Sequence, residues 1–263
     1  MTAPKLYKTT AVVLRQRKLG EADKILTLFT PNLGKLDAVA KGVRRPKSKL
    51  AGHVEPLTYT TFLIAKGREL DVVTQAQALE AFLPLREELE RTGRAFYVAE
   101  LVDRLTPERQ ESFPVFRLLL ETLQRLATGS RLDIALRFFE MRLLETLGYR
   151  PQLEECVACR KPLEAVANNW SAESGGVVCP ACARNLPMSQ TISLNALKMM
   201  RLLQKGSYAD CARVNTAPAL ETELERHLRQ YLFYTLERDV RSTRFLDTLR
   251  RSGAALKSAN GQG

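Results

Sequence analysis

Two pairs of closely spaced cysteines constrain the fold of this chain more than any other feature. They read CVAC and CPAC, and the full spacing is C-x2-C-x19-C-x2-C. Each C-x2-C turn directs two sulfur atoms at one point, and the connection between the pairs is long enough for a hairpin that brings them together. This pattern is typical of a tetrahedral zinc site. We predict one structural Zn²⁺ bound by four thiolates, namely Cys156, Cys159, Cys179 and Cys182.

Other cysteine chemistries fit the spacing less well. A redox C-x2-C needs only one pair, and iron–sulfur clusters use different spacings. Four thiolates leave no open coordination position, so a catalytic zinc is not expected. Residues 151–187 have too few apolar side chains for a core, and zinc binding contributes about 10–16 kcal/mol in zinc-finger peptides. The metal should therefore hold this segment together. The fifth cysteine, Cys211, is predicted to be a small buried hydrophobic residue.

The N-terminal third of the chain has the alternating pattern of β-strands. About five short strands are predicted in residues 5–80, with a turn at residues 31–34 and a hairpin at Lys66-Gly67-Arg68, where glycine could supply a positive φ. Phe29 and Phe62 fall within strand patterns and are expected in the core. Five strands favour a small barrel, of which the OB-fold is the common version. An SH3-like barrel stays open as an alternative at this point.

Helical periodicity begins near residue 83. One predicted helix follows Pro84 and places Phe96, Ala99 and Leu105 at helical spacing, and further helices are predicted over 112–128, 131–147, 193–205 and 219–240. The fold class is then α+β and multidomain, a five-stranded OB-fold followed by an all-α domain that a zinc finger interrupts. The predicted divisions are 1–80 (OB-fold), 81–150 (helical, first part), 151–187 (zinc finger), 188–250 (helical, second part) and 251–263 (disordered tail).

Positive charge is concentrated at the two ends of the chain. The formal net charge is +11, with +7 in residues 1–80, 0 in 81–150, −1 in 151–187 and +5 in 188–263. Such a distribution favours a polyanionic partner, either nucleic acid or a membrane surface. The densest run is KGVRRPKSK, residues 41–49, which has five cations and no acid. We predict phosphate contacts first from Lys41, Arg44, Arg45, Lys47 and Lys49, and second from Arg15, Arg17, Lys18 and Lys35.

Several function classes lack their sequence signals. Neither G-x-x-x-x-G-K-[ST] nor G-x-G-x-x-G occurs, no paired-carboxylate cluster stands out, and the two histidines, His53 and His227, have no pattern that pairs either with a nucleophile. No apolar run reaches the roughly 20 residues of a membrane span, and no secretory signal is evident. We expect a cytoplasmic, non-enzymatic binding protein with no small-molecule substrate and no membrane partner.

The order of these parts resembles a known family. The β module carries AKGVRRPKSKLAGHVEPL, the helix LRFFEMRLLETLGYRPQLEECVAC runs into the first cysteine pair, and CPAC and further helices follow. This arrangement, over about residues 5–245, is similar to the RecO family of bacterial recombination mediators. The resemblance implies an OB-fold, a helical domain with a zinc finger, binding to single- and double-stranded DNA, strand annealing, and a nucleoid-associated location.

The resemblance also implies protein partners. They are RecR, the acidic C-terminal tail of single-strand-binding protein (SSB), and indirectly RecA, which would be loaded onto SSB-coated DNA. We expect the SSB tail on the helical part, with Arg137, Arg142 and the basic residues of 193–205 as candidates, although no local motif selects them.

Without the resemblance, the residues leave three alternative interpretations open. An RNA-binding OB and zinc-ribbon protein, such as a ribosome assembly factor, has the same physical features. A metal-dependent nuclease would require carboxylate clusters that the sequence does not offer. The zinc finger could itself contact DNA, but its net charge of −1 favours a structural or protein-docking role. Because the β region has few aromatic side chains for base stacking, binding is expected to depend mainly on backbone charge.

Overall fold

The computed structural model describes residues 5–236, so the predicted tail 251–263 and the helical prediction beyond 236 lie outside the described residues. The chain divides into two compact units. The first comprises the residues up to Leu147 together with Gly206–Asn215, and the second comprises Gly148–Lys205 and the residues from Thr216 onward. The domain boundaries predicted from the sequence divide the chain more finely than these units and stay a prediction.

The first unit begins with a closed five-stranded barrel. Its strands are β1 (Leu6–Leu19), β2 (Asp23–Thr30), β3 (Gly34–Ala40), β4 (Tyr59–Ala65) and β5 (Asp71–Glu80). The order around the barrel is β1-β2-β3-β5-β4, with β4 pairing back to β1. Only the β3–β5 pairing is parallel among these strands. This is the OB-fold, as the strand pattern predicted.

Alternation along the strands places one set of side chains inside the barrel. The interior is filled by apolar side chains of different sizes, including Ala11, Val13, Leu28, Phe62 and Ile64. Phe29 is fully buried as well, so the prediction that Phe29 and Phe62 are core residues is confirmed. Neither ring is therefore available for stacking on a base.

Gly67 is required in the β4–β5 connection for a reason other than the predicted one. Its φ is not positive. A Cβ at this position would lie 1.8 Å from the backbone oxygen of Leu70. Only glycine therefore allows the backbone of this connection to pass so close to Leu70. The hairpin position was right, but the positive φ expected at Gly67 was wrong.

Five helices complete the first unit. They are α1 (Pro84–Glu87), α2 (Leu89–Leu105), α3 (Phe113–Thr128), α4 (Leu132–Thr146) and, after the second unit intervenes in sequence, α7 (Tyr208–Arg213). The first predicted helix is broken at Glu88, which has an extended backbone between α1 and α2. Phe96, expected on the buried face, is 44% exposed. Cys211 is fully buried in α7, as predicted.

The second unit contains a small sheet and two longer helices. Its elements are β6 (Asn168–Ser171), β7 (Gly176–Val178), α5 (Pro180–Ala183), β8 (Gln190–Ile192), α6 (Leu194–Lys205) and α8, residues 218–236. The sheet order is β7-β6-β8, and the buried Trp170 of β6 packs against His227 and Tyr231 of α8. Strand β8 lies just before the helix predicted over 193–205, and no strand was predicted there.

Among residues 5–236, no helix combines the length and the apolar character needed to cross a membrane.

Candidate nucleic-acid interface and metal site

The segment Lys41–Lys49, called here the basic loop, is fixed to the barrel at its start. The N–H of Gly42, which has φ of +64°, donates to Asp23 Oδ1 at 2.7 Å. The N–H of Arg44 donates to the carbonyl of Ala22 at 2.9 Å, and between them the side chain of Val43 enters the barrel core. The basic loop therefore lies against the β1–β2 turn, one of the loops with which OB-folds bind oligonucleotides.

All five cations of the basic loop point to solvent. Each of these side chains is exposed, and none forms an ion pair with another residue in the range 5–236. Arg44 Nη1 donates to the carbonyl of Gly20 at 3.1 Å, which orients its guanidinium at the β1–β2 turn. Two internal turns, Arg45 N–H to Gly42 O and Ser48 N–H to Arg45 O, shape the rest of the loop. The result is a shaped surface of positive charge without neutralising acids.

The second-choice cations are placed differently. Arg15 Nε lies 2.8 Å from Asp103 Oδ2 of α2, and Lys35 Nζ lies 3.2 Å from Asp103 Oδ1. Arg17 is paired with Asp37 on the barrel surface. Lys18 is exposed near the end of β1 and has no ion pair within residues 5–236. Three of these four cations are thus neutralised by acids of their own unit.

The helices cover part of the barrel next to those cations. The ring of Phe116 in α3 packs against Phe29 and Tyr59, with centroids 6.4 and 6.0 Å apart. The N–H of Arg109 donates to the carbonyl of Lys35 at 2.8 Å. The outer side of β1, β2 and β3 is therefore in part a packing surface for the helices.

The four predicted zinc ligands come together at one point. The sulfur atoms of Cys156, Cys159, Cys179 and Cys182 all lie within 4.8 Å of one another, and the Cys159 and Cys179 sulfurs are 4.0 Å apart. With Zn–S bonds of about 2.3 Å, a tetrahedral site has sulfurs separated by about 3.8 Å. The cluster therefore fits one zinc ion closely, and four sulfurs leave no coordination position for a substrate.

Backbone geometry explains how the cysteines meet. The hairpin expected between the two cysteine pairs is formed by β6 and β7, and Cys179 follows directly after β7. The N–H of Val157 donates to the carbonyl of Val177, which ties the first cysteine turn to this hairpin. Arg160 has φ of +63°, and its N–H donates to the carbonyl of Cys156, which closes the first cysteine turn. Strand β8, which the sequence analysis missed, pairs with the other edge of β6.

The local environment already favours negative charge on one sulfur. Burial alone would raise the pKa of Cys156, but N–H groups of Cys159, Cys179 and Ala158 hydrogen-bond its sulfur and lower the pKa to about 6. Hydrogen bonds to the sulfurs of Cys179 and Cys159 raise the pKa of Cys182 to about 12. The four sulfurs cannot all carry charge at neutral pH without a cation between them, which is the condition that a divalent metal satisfies.

The arginines suggested for the SSB tail are engaged inside the first unit. Arg137 is 5% exposed and lies 3.0 Å from the fully buried Glu140. Arg142 contacts Glu145 at 2.9 Å and donates to the carbonyl of Gly206. A buried, paired guanidinium is a poor receptor for a peptide carboxylate, so the structure gives these two suggestions no support.

One candidate surface was not recognised in the sequence. A groove beside β4 and β5 is lined by Lys8 and Lys49, and its other lining residues are uncharged. The available signal was weak, namely that residues 72–79 of β5 contain no charged side chain although several of them are exposed. Its position next to two lysines depends on strand pairing.

Comparison with known protein families covers nearly the whole chain. The family described as Recombination protein O N terminal matches residues 1–82, and Recombination protein O C terminal matches residues 86–244. The chain belongs to the RecO family. The N-terminal match coincides with the OB barrel, and the C-terminal match includes the four cysteines and the helices that flank them.

Individual relatives show the same relationship along most of their length. A DNA repair protein RecO from Dehalococcoides mccartyi strain CBDB1 is 40% identical over 95% of this chain and 98% of its own. That of Roseiflexus sp. strain RS-1 is 44% identical over 94% and 87%, and that of Pelotomaculum thermopropionicum is 40% identical over 97% and 99%. Membership in the RecO family supports a function in DNA repair and recombination.

Proposed function

We propose that this RecO-family protein is a non-enzymatic DNA-binding mediator of recombinational repair. It binds single- and double-stranded DNA through the phosphate backbone, anneals complementary strands, and acts with RecR to load RecA onto DNA coated by SSB. The observation that carries the proposal is the basic loop, whose five exposed cations have no ion-pair partner within residues 5–236 and lie against the β1–β2 turn of an OB barrel.

Charge rather than base stacking supplies the binding energy. The five aromatic residues of the β region and its exit are all buried or half-buried, namely Tyr7, Phe29, Tyr59, Phe62 and Phe82. Arginine can bridge two phosphate oxygens whereas lysine acts as a point charge, so the mixed loop grips the backbone without reading sequence. Neutralised backbones and unstacked bases suit annealing, because two strands can then approach while their bases stay free to pair.

The secondary contacts follow from the same electrostatics. Lys18 is exposed and unpaired within residues 5–236, which suits it to extend the site. Contacts from Arg15, Arg17 or Lys35 would compete with Asp103 or Asp37, so these residues contribute less than the basic loop.

Zinc has a structural role in the proposal. Cys156, Cys159, Cys179 and Cys182 would hold one ion that stabilises the β6–β7 hairpin and its neighbours. RecR and the SSB tail would provide the partner interactions, with RecA reached indirectly. No residue of this chain is assigned to those contacts, since the arginines first suggested are occupied inside the first unit.

Charge reversal in the basic loop tests the proposal. If five phosphates are engaged on single-stranded DNA, a plot of log K against log salt has a slope of about −3.5, and affinity falls about a hundredfold between ~50 and ~200 mM salt. Replacing Arg44 and Arg45 by Glu should weaken binding evenly across oligonucleotide sequences and make the slope shallower by about 1.4 for two lost contacts. Fluorescence anisotropy with labelled DNA measures both quantities.

A charge-matched control is available in the same unit. Arg104 and Arg117 are 62% and 70% exposed on α2 and α3, and each pairs with an exposed glutamate. The double variant R104E/R117E changes net charge equally but should retain wild-type affinity. Equal affinity of folded, zinc-loaded R44E/R45E and wild type would overturn the proposal. Stronger binding to RNA than to DNA in a competition assay would instead favour an RNA-binding protein.

A further inference from the structure

A groove of about 590 Å³ runs along the outside of the barrel beside β4 and β5. It begins at the end of the basic loop and reaches the first half of β1. The lining residues that matter here are Lys8, Lys49, Thr61, Leu63, Gln75 and Gln77.

Strand pairing aligns the polar side chains of this groove in rows. Lys8 of β1 is opposite Leu63 of β4, which is in turn opposite Gln75 of β5. In the next row, Thr61 is opposite Gln77. Gln75 and Gln77 are exposed, and their side chains form no hydrogen bond with residues 5–236. Two side-chain amides without a hydrogen bond to residues 5–236 are therefore presented to solvent beside a cation, whereas the hydroxyl of Thr74 donates to the carbonyl of Leu63 at 2.8 Å.

The charges of the groove are not balanced. Lys8 and Lys49 have no ion pair within residues 5–236, and no acidic residue lines the groove. The opposite side of the barrel contrasts with it, because Lys24, like Arg17 and Lys35, is neutralised by an acid, in its case Glu55 at 3.6 Å. The groove therefore presents two lysines without a neutralising acid among residues 5–236.

We propose that this groove is a subsite for single-stranded DNA, continuous with the basic loop through Lys49. Lys8 and Lys49 bind phosphates, and Thr61, Gln75 and Gln77 contact sugars and base edges. The proposal rests on DNA binding by the basic loop and adds the path that a strand follows beyond it.

The size and chemistry of the groove favour one strand. Its volume is in the range of small-molecule pockets, about 300–1,000 Å³, so it holds a nucleotide or two of a single strand and not a duplex. Amide and hydroxyl groups can reach sugars and the base edges that a single strand exposes, whereas a duplex keeps its Watson–Crick edges paired. DNA fits this surface better than an acidic peptide does. The reason is that the groove continues into the basic loop, whose five cations have no ion pair within residues 5–236.

Two groove variants and one control test the subsite. Lys8→Glu reverses the charge of a residue outside the basic loop, and Q75E/Q77E places two carboxylates on the groove floor. Arg104→Glu is the control, because Arg104 is a 62% exposed cation of α2 that pairs with Glu100 and does not line the groove. Anisotropy with fluorescein-labelled oligo-dT of increasing length, and with a blunt duplex, is measured for each after confirming equal melting temperatures.

We expect K8E to weaken oligo-dT binding about three- to tenfold at ~50 mM salt and to make the log–log salt slope shallower by about 0.7. The loss should grow with oligonucleotide length until the groove is spanned, and duplex binding should change less than twofold. Q75E/Q77E should behave similarly, and R104E like wild type. A photo-crosslinking p-benzoylphenylalanine at position 75 should attach to oligo-dT.

The subsite is overturned if R44E/R45E loses affinity while K8E and Q75E/Q77E bind oligo-dT as wild type does and position 75 does not crosslink. Failure of the basic loop itself gives a different pattern, in which R44E/R45E also binds normally. If K8E leaves DNA binding unchanged but abolishes binding of a labelled acidic peptide, the groove is a peptide site and the proposal is wrong.

Discussion

Lys35 of β3 and Asp103 of α2 form an ion pair in which Nζ lies 3.2 Å from Oδ1, with side chains only 12% and 19% exposed. The second oxygen of the same carboxylate lies 2.8 Å from Arg15 Nε of β1. One acid of the helical part therefore holds two strands of the barrel. Arg15 and Lys35, which the sequence suggested as phosphate contacts, therefore stabilise the first unit.

Removing that carboxylate should destabilise the first unit. D103N leaves two partly buried cations without their acid, and the free energy of unfolding should fall by about 1–3 kcal/mol. Glu100→Gln is the matched control on the same helix, since its pair with Arg104 is more than half exposed and should be worth less than about 0.5 kcal/mol. Urea unfolding followed by circular dichroism compares them, and equal losses in both variants would contradict the assignment.

Metal content should follow the four-cysteine cluster. Purified protein is expected to contain one zinc per chain, and Cys159→Ser should lose it, because three thiolates hold the ion less tightly. Hydrogen exchange should then accelerate in the β6–β7 hairpin. Cys211→Ala is the control, since Cys211 is buried in α7 of the first unit. Elemental analysis that finds full zinc in C159S, or none in the wild type, would refute the site.

Two glycines should respond to alanine with opposite signs. Gly34 has φ of +63°, and a Cβ there would lie 1.9 Å from the backbone oxygen of Gln110, so Gly34→Ala should lower the unfolding free energy by at least about 1–3 kcal/mol. Gly93 is exposed within α2 with no atom within 4 Å of an added Cβ. Gly93→Ala should stabilise the protein by about 0.5–1 kcal/mol. Denaturant midpoints of both variants decide the matter, and a neutral G34A would be inconsistent with the backbone described.

Stability of the second unit should depend on pH through His227. Burial lowers the pKa of this fully buried imidazole, and the nearby Arg226 lowers it further, whereas Glu223 at 3.7 Å opposes them. In the unfolded chain the pKa is about 6.5, so below that pH the unfolded state binds the extra proton. The unfolding free energy should therefore be highest above about pH 7 and fall as the pH drops through about 6.5.

Fluorescence of Trp170, the single tryptophan, reports on this unit, because its ring centroid lies 5.9 Å from that of His227. Urea titrations at pH 7, 6 and 5 measure the dependence. His227→Gln removes the titrating imidazole and leaves the four cysteines unchanged. The unfolding free energy of this variant should therefore depend less on pH. An unchanged pH dependence in this variant would assign the effect to other groups.

Local patterns in the sequence were sufficient for the strands and for the cysteine cluster. Alternation places β2 and β4 correctly, and two C-x2-C turns can meet only if the connection forms a hairpin. Strand β8 was missed because three residues have no periodicity of their own and become a strand only by pairing with β6. The break at Glu88 and the exposure of Phe96 likewise depend on packing.

The candidate site shows the same division. The exposed cations of the basic loop were recognisable, since a dense run of charge interrupted by proline and glycine belongs on a surface. The pairing of Arg15 and Lys35 with Asp103 was not, because it joins residues 68 and more positions apart in the chain. The groove beside β5 escaped notice for the same reason, as Lys8, Gln75 and Lys49 become neighbours only when the barrel closes.

The return of residues 206–215 to the first unit has a consequence for synthesis on the ribosome. Three arginines hold this segment. Arg125 of α3 stacks over the ring of Tyr208, Arg131 at the N-cap of α4 donates to the carbonyls of Ala212 and Val214, and Arg142 of α4 donates to that of Gly206. The first unit cannot be completed until position 215 has left the exit tunnel. The cysteine-bearing segment is therefore translated, and can acquire its metal, while the unit that begins the chain is still waiting for its last helix.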